Sequence, residues 1–146
     1  RANRMRWPRG NLRYLRAVVA ELRTFEPLEF TLTLDDGEVL CRSAMLVAVG
    51  NGPSFGGGLR ICEGAVVDDG LLDVVVINPV GKLTLLRVFP RLSQGTHTSL
   101  PQFERHRVRS VRLDSAGVVA YGDGERLGPL PREVRVRRAA LRVFVP

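Results

Sequence analysis

The spacing of apolar residues changes period twice along the chain. Leu12, Leu15, Val18, Val19, Leu22 and Phe25 recur at helical intervals, Arg13, Arg16 and Arg23 take other faces, and Asn11 stands where an N-cap is needed. This predicts a helix over 12–25. A helix lying flat on a membrane would show a similar stripe, but this one is no stronger than packing on its own domain requires. Pro27 stops the helix, and the period drops to two. Leu28, Phe30, Leu32 and Leu34 alternate with Glu29, Thr31 and Thr33, as in a half-buried strand. Asp35-Asp36-Gly37-Glu38 then supplies a hairpin turn, since glycine tolerates the positive φ that such turns demand.

Val39 to Val49 reads as one long strand, alternating at first and buried on both faces from Met45 onward. A glycine-rich stretch and an Asp68-Asp69-Gly70 turn precede a β-branched strand over Leu71 to Ile77. Residues 81–95 place Leu85, Leu86, Phe89 and Leu92 on one side of a second helix, against which Pro90 counts. The last third returns to period two. Val108, Val111 and Leu113 interleave with arginines, Val118 to Tyr121 lead into Asp123-Gly124-Glu125, Val134 and Val136 alternate with Arg135 and Arg137, and Leu141, Val143 and Val145 close the chain. Strands joined by Asp-Gly turns and interrupted by two helices predict a β-rich fold, mainly a β sandwich with two α-helices, forming a single domain over 1–146.

Composition narrows the class. The 146 residues are 45% apolar, 25% charged and 6% aromatic, which excludes a disordered chain and lets one domain bury roughly two-thirds of its unfolded surface. The longest apolar run, Ala44 to Val49, is far short of the ~18 residues of a membrane span, and the basic start lacks the apolar stretch of a secretion signal. A soluble, cytoplasmic protein is expected. Cys41 and Cys62 are too few for a disulfide framework or a zinc site and read as small core fillers in a reducing compartment. A chain opening on Arg1, with a helix pattern starting almost at once, reads as a piece of a longer polypeptide.

Charge changes the picture further. Lys and Arg total 22 against 15 Asp and Glu, a net charge of +7, and Lys82 is the one lysine. A pI of about 10.9 favours anionic partners, whether nucleic acid, phosphorylated ligands or an acidic membrane, unless it reflects an arginine-rich habit of the source. Trp7 and the two tyrosines do not interleave with the arginines as a base-stacking platform would, so no nucleic-acid partner is expected.

Three segments could carry chemistry. The stretch Gly50 to Gly58 invites a phosphate-loop reading, yet Gly58 stands where a Walker lysine belongs and Phe55 where a dinucleotide fingerprint needs glycine, so a tight turn competes with it. Asp68, Asp69 and Asp73 surround Gly70. They read either as an ordinary turn or as a hard-cation site built from one carboxylate and turn carbonyls. Asp123 and Glu125 flank Gly124, again as a turn or as a pair suited to general base work. His97 and His106 lack acidic partners at ligand or triad spacing and read as surface or loop histidines.

In their order, these segments resemble the C-terminal lobe of the diacylglycerol kinase and sphingosine kinase family of lipid kinases. The resemblance rests on Val47-Ala48-Val49-Gly50-Asn51-Gly52, Phe55-Gly56-Gly57-Gly58-Leu59 and Asp69-Gly70-Leu71-Leu72-Asp73-Val74, then Gly95 with His97, Asp123-Gly124-Glu125, and Pro129 to Pro131. It implies a β-sandwich lobe of a two-lobed enzyme that moves the γ-phosphoryl group of ATP to a diacylglycerol-like or sphingoid hydroxyl. The family's nucleotide lobe carries a Gly-Gly-Asp-Gly-Thr signature that does not occur in this chain, so the chain corresponds to the acceptor-binding lobe and is expected to be inactive alone. The resemblance makes Glu125 the proton acceptor and Asp123 its companion. It also assigns a structural magnesium to the Asp69 carboxylate and the backbone oxygens of Val66 and Leu71. The Tyr121-Gly122 step before Asp123 departs from the family's more continuous strand.

The implied partners are ATP, bound mainly by the other lobe, and a lipid substrate. Peripheral membrane contact and a homodimer are compatible with the same reading. A rival reading keeps the sandwich and the arginines but drops the chemistry: a non-catalytic basic module that binds anionic lipid or a membrane surface, with no use for Asp123 and Glu125.

Overall fold

The structure, a computed structural model, describes residues 26–35, 37–54, 58–81, 84, 91 and 94–142. The helix expected over 12–25 lies outside these residues, as do Phe55-Gly56-Gly57, Val143 and Val145. Of the second expected helix, Thr84, Arg91 and Gln94 are helical, and most of the remainder lies outside the described residues.

Strands β1 (Leu28–Leu34) and β2 (Glu38–Ala44) form the expected hairpin, in register from Leu28 opposite Ala44 to Leu34 opposite Glu38. They join β6 (Ser110–Asp114) and β9 (Arg132–Arg135) in a four-stranded antiparallel sheet of order β2-β1-β6-β9. A second sheet, β3-β4-β5, is built from Leu46–Gly50, Leu72–Ile77 and Phe103–Val108. A two-stranded ribbon of β7 (Val119–Gly122) and β8 (Glu125–Pro129) completes the strands. A short 3₁₀ helix, Thr96–Ser99, precedes β5.

The two larger sheets share a core. Leu32 and Leu34 of β1 and Val111 of β6 cluster with Leu72, Val74 and Val76 of β4 and with Val108 of β5. On the opposite face of β4, Val75 and Ile77 join Met45, Ala48, Ile61 and Cys62 in a second cluster. This is why β4 reads as an apolar run interrupted only by Asp73: both of its faces are covered, and all six of its residues are buried. Burying each such valine contributes about 1.5 to 3 kcal/mol relative to exposure.

The single strand expected over Val39 to Val49 is two strands in different sheets. The chain breaks at Met45, whose N–H donates to the Ile77 carbonyl at 2.8 Å and carries the path from one sheet to the other. Apolarity persists across the break because the residues on both sides are buried, so composition gives no warning of it. Arg109 makes the reverse crossing between β5 and β6, and the Asp35 carboxylate pins that corner by accepting from the backbone N–H groups of Arg109 and Ser110 at 2.7 and 2.8 Å.

Three further expectations are corrected. Cys41 is exposed and only Cys62 is a core residue. On β2 the residues Leu40 and Ala44 pack into the core, so strand parity turns Cys41 outward. His97 is buried at 1% exposure; its Nε2 lies 3.1 Å from the Ile61 carbonyl, and its ring meets Phe103 edge-on at 4.9 Å. Leu141, expected to help close the chain as a strand, is outside any strand and 84% exposed.

Candidate functional site

Asp123 and Gly124 form the two-residue tip of the β7–β8 hairpin, with Gly122 and Glu125 as its last paired residues. Their φ angles, 48° and 88°, place consecutive residues in the left-handed region. That is the backbone a type I′ hairpin requires, and Asp-Gly is among the sequences that adopt it most readily. The pairing slips between Ala120 and Tyr121, so the departure noted at Tyr121-Gly122 corresponds to a β-bulge. Both carboxylates are exposed, and among the described residues neither has a hydrogen bond or an ion pair. Tyr121 and Leu127 on the same ribbon are exposed at 66% and 50%, leaving an apolar surface next to the acidic tip.

The Asp69 turn is built differently. Asp69 Oδ1 accepts from the Leu71 N–H at 2.8 Å, which folds the side chain back over Gly70, whose φ is 76°. The other oxygen is held by the Arg107 guanidinium. Asp73, two residues past Leu71, is buried at 1% exposure in the middle of the apolar β4 run. Arg105 Nε meets its Oδ1 at 2.5 Å, and Arg107 Nε stands 4.0 Å from the same atom. Asp73 lies directly opposite Arg107 in the β4–β5 ladder, and Arg105 sits on the diagonal position, so the register itself assembles this chain of alternating charges.

The Gly50-Asn51-Gly52 segment braces the turn. Asn51 Nδ2 donates to the Val67 carbonyl at 3.1 Å, and a Cβ on Gly50 would lie 2.8 Å from Cys62 Sγ. Gly50 therefore serves close packing. Burial pushes the Cys62 thiol up to about 11, the nearby Asp73 charge pushes the same way, and Arg105 opposes them.

The donor chemistry of the turn suits a hard cation. A carboxylate offers about four lone-pair positions, and the Leu71 N–H and Arg107 engage two of them. Among the described residues no group of three or more His, Cys, Asp or Glu converges on one point. A cation here would rely on one carboxylate, backbone oxygens and water, a set that magnesium, which keeps much of its hydration, accepts. Arg107 would share Asp69 with it.

The structure thus ties Asp69 to Leu71 across one turn, with Val66 in the segment just before it, and places Asp123 and Glu125 at one hairpin tip. The first group precedes β4 and the second joins β7 to β8, and among the described residues no hydrogen bond or ion pair joins them. Sequence reasoning missed Asp73 as a buried charge and Arg107 as the partner of Asp69. The lone acid within Leu71-Leu72-Asp73-Val74-Val75-Val76 was a signal for the first; the second needed the β4–β5 register.

Residues 1–145 match the YegS C-terminal NAD kinase beta sandwich-like domain family. The chain belongs to this family. Among relatives of this YegS-type domain, a protein named diacylglycerol kinase from Mycobacterium tuberculosis is 42% identical over 146 residues, covering 100% of this chain and 47% of that protein. Sphingoid long-chain bases kinase 1 of Arabidopsis thaliana is 40% identical over 65 residues, 40% of this chain and 8% of that protein. The chain therefore spans about half the length of its Mycobacterium relative. The crystal structure of a diacylglycerol kinase from Bacillus anthracis superposes with a TM-score of 0.57 at 21% identity, covering 84% of this chain and 44% of that one. A second Bacillus anthracis structure gives 0.68 at 22% identity over 86% of this chain and 40% of that one. These superpositions support the sandwich fold. No described helix is long and apolar enough to cross a membrane.

Proposed function

We propose that this chain is the acceptor-binding, base-contributing portion of an ATP-dependent lipid kinase that phosphorylates a diacylglycerol-like or sphingoid hydroxyl. The observation that carries the reading is the placement of Asp123 and Glu125 together at one hairpin tip, exposed and without a cationic partner among the described residues, in a chain whose relatives are named lipid kinases. Glu125 accepts the proton of the lipid hydroxyl as its oxygen bonds to the γ-phosphorus. The bond from that phosphorus to the bridging oxygen breaks, and ADP leaves. Asp123 keeps the tip anionic and helps orient the hydroxyl. Phosphoryl transfer asks little covalent chemistry of the protein, so placing and deprotonating the acceptor is the contribution expected from this side of the reaction. ATP is held mainly by residues outside this chain, and the chain alone is inactive.

Magnesium belongs to the same proposal. Asp69, with the backbone oxygens of Val66 and Leu71, would hold it, and when bound it would supply a fixed positive charge that braces the turn.

The test is kinetic. In the full-length protein, Glu125→Gln lowers kcat by roughly 10²- to 10⁴-fold, the range of positioned acid–base help, and leaves the lipid KM nearly unchanged. If Asp123 is the base, Asp123→Asn shows a comparable loss. Near-normal turnover in both variants would replace this reading with the non-catalytic lipid-binding module.

A further inference from the structure

An open groove of about 640 Å³ lies at the end of the sandwich where the chain crosses from β5 to β6. Its walls come from the Asp35 turn, the Arg109-Ser110 corner, Gly70-Leu71 and the segment that follows β9. Arg109, Arg135 and Arg138 converge on it. The one acid in its lining, Asp35, already accepts from the N–H groups of Arg109 and Ser110. Arg135 is engaged by Glu133 at 2.5 Å. Among the described residues the side chains of Arg109 and Arg138 have no carboxylate partner, whereas Arg42, Arg60, Arg105 and Arg107 are each ion-paired. Arg138 is held over Gly70, where a Cβ would lie 2.6 Å from its Nε.

Guanidinium groups suit phosphate oxygens because they present several donors in a fixed fork. Exposed aliphatic residues on the chain segments that supply the groove walls favour a lipid source of phosphate over a soluble one. Val67, three residues before Gly70, is 63% exposed; Val39, four after Asp35, is 57% exposed; Leu141, three after Arg138, is 84% exposed. Exposed aliphatic side chains on the same segments as unpaired cations match a bilayer surface, where apolar groups enter the interface and arginines meet headgroups.

We infer that the Arg109–Arg138 groove is a binding site for the phosphate groups of anionic phospholipids, through which the protein rests on a membrane. The inference deepens the lipid-kinase reading by naming the surface on which the enzyme meets its substrate, yet it does not need Asp123 or Glu125. Vesicle binding without ATP therefore tests it separately from turnover.

The experiment is co-sedimentation of the full-length protein with phosphatidylglycerol–phosphatidylcholine vesicles and with pure phosphatidylcholine vesicles. Binding to the anionic vesicles is expected, weakening as salt rises. Arg109→Gln/Arg138→Gln lowers the partition coefficient about thirty-fold, as expected for two basic groups at an anionic surface. Arg112→Gln/Arg126→Gln, exposed arginines outside the groove lining, serves as the charge-matched control and keeps binding within about three-fold of the unmodified protein. Equal losses in the two double variants would overturn the site in favour of diffuse net charge. So would binding that survives Arg109→Gln/Arg138→Gln. Thermal stabilisation by inorganic phosphate that depends on Arg109 and Arg138, without vesicle binding, would overturn the lipid source. Glu125→Gln should bind vesicles normally whether or not it is active.

Discussion

Asp73 and Arg105 form an ion pair whose halves stand in unequal surroundings, and the asymmetry gives a measurable signature. The pair is 2.5 Å apart, with the Asp73 side chain 2% exposed and the Arg105 side chain 26% exposed. Arg105→Met leaves a carboxylate that cannot reach water and retains only Arg107, whose Nε is 4.0 Å away. Breaking a buried pair from one side costs about 3 to 5 kcal/mol, and the residual Arg107 contact sets the expectation near 3 kcal/mol. Asp73→Asn keeps the shape and an acceptor oxygen, and the guanidinium left behind is still partly hydrated, so the loss should be about 1 to 2 kcal/mol. With both changed, no charge of the pair is stranded, and the double variant should be more stable than the sum of the single losses predicts by about 1.5 kcal/mol. Urea unfolding at fixed neutral pH, followed by circular dichroism, measures all three. Against a domain stability of about 5 to 15 kcal/mol these differences are large. An Arg105→Met loss no greater than that of Asp73→Asn, or additivity within about 0.5 kcal/mol, would refute the reasoning.

Three other outcomes follow from the same geometry. Saturating magnesium should raise stability by about 3 to 4 kcal/mol at ~100 to ~1,000 times its Kd, and Asp69→Ala should abolish the gain; identical melting of the unmodified protein with and without magnesium would count against the Asp69 turn as its site. The Asn78 amide, followed by Arg42, holds the Glu104 carboxyl below the usual carboxylate range. Its contribution is therefore complete above the unfolded value, ~4.3, and is lost as pH falls through the lower folded value. Asn78→Ala should make the fall of Tm on acidification shallower, and an unchanged slope would exclude this pair as the source. Gly50→Ala forces a Cβ to 2.8 Å from Cys62 Sγ and should cost about 1 to 3 kcal/mol by overpacking, with Cys62→Ala relieving part of that loss in the double variant.

Much of this fold was legible because burial leaves a period in the sequence. The β1–β2 hairpin and the doubly covered β4 follow from alternation and from its absence, and Asp123-Gly124 declares its turn through the positive φ that both residues adopt. What stayed hidden depends on contacts between distant segments. The crossing at Met45 leaves no mark, since residues on either side of it are buried against different sheets. Cys41 and Cys62 look alike in sequence, yet strand parity exposes one, while packing under Gly50 buries the other. His97 lacks an acidic partner at any recognisable spacing because its partner is the Ile61 carbonyl, and a backbone oxygen has no sequence signature. The candidate base pair was visible as a local motif, whereas the groove was not: Asp35, Gly70, Arg109 and Arg138 are brought together by the sheet topology alone.

Within the net charge of +7, the ion-paired arginines and the groove arginines Arg109 and Arg138 have different physical roles. Arg42 on β2 meets Glu104 on β5 at 3.0 Å and ties the two sheets together across their layers. Arg105 and Arg107 neutralise acids along β4 and its preceding turn, and Arg60 meets Glu63 at 2.5 Å. Neutralising any of these strands a carboxylate, so its first consequence is lost stability, most severely where the carboxylate is buried. Arg109 and Arg138 leave no acid behind, and neutralising them relieves mutual repulsion around the groove, which should leave stability unchanged or slightly higher. A basic surface read from composition alone would treat all of these residues as equivalent contributors to anion binding. Pairing together with position in the groove lining distinguishes Arg109 and Arg138 from the ion-paired arginines, and makes loss of vesicle binding without loss of stability the expected behaviour of the groove variants.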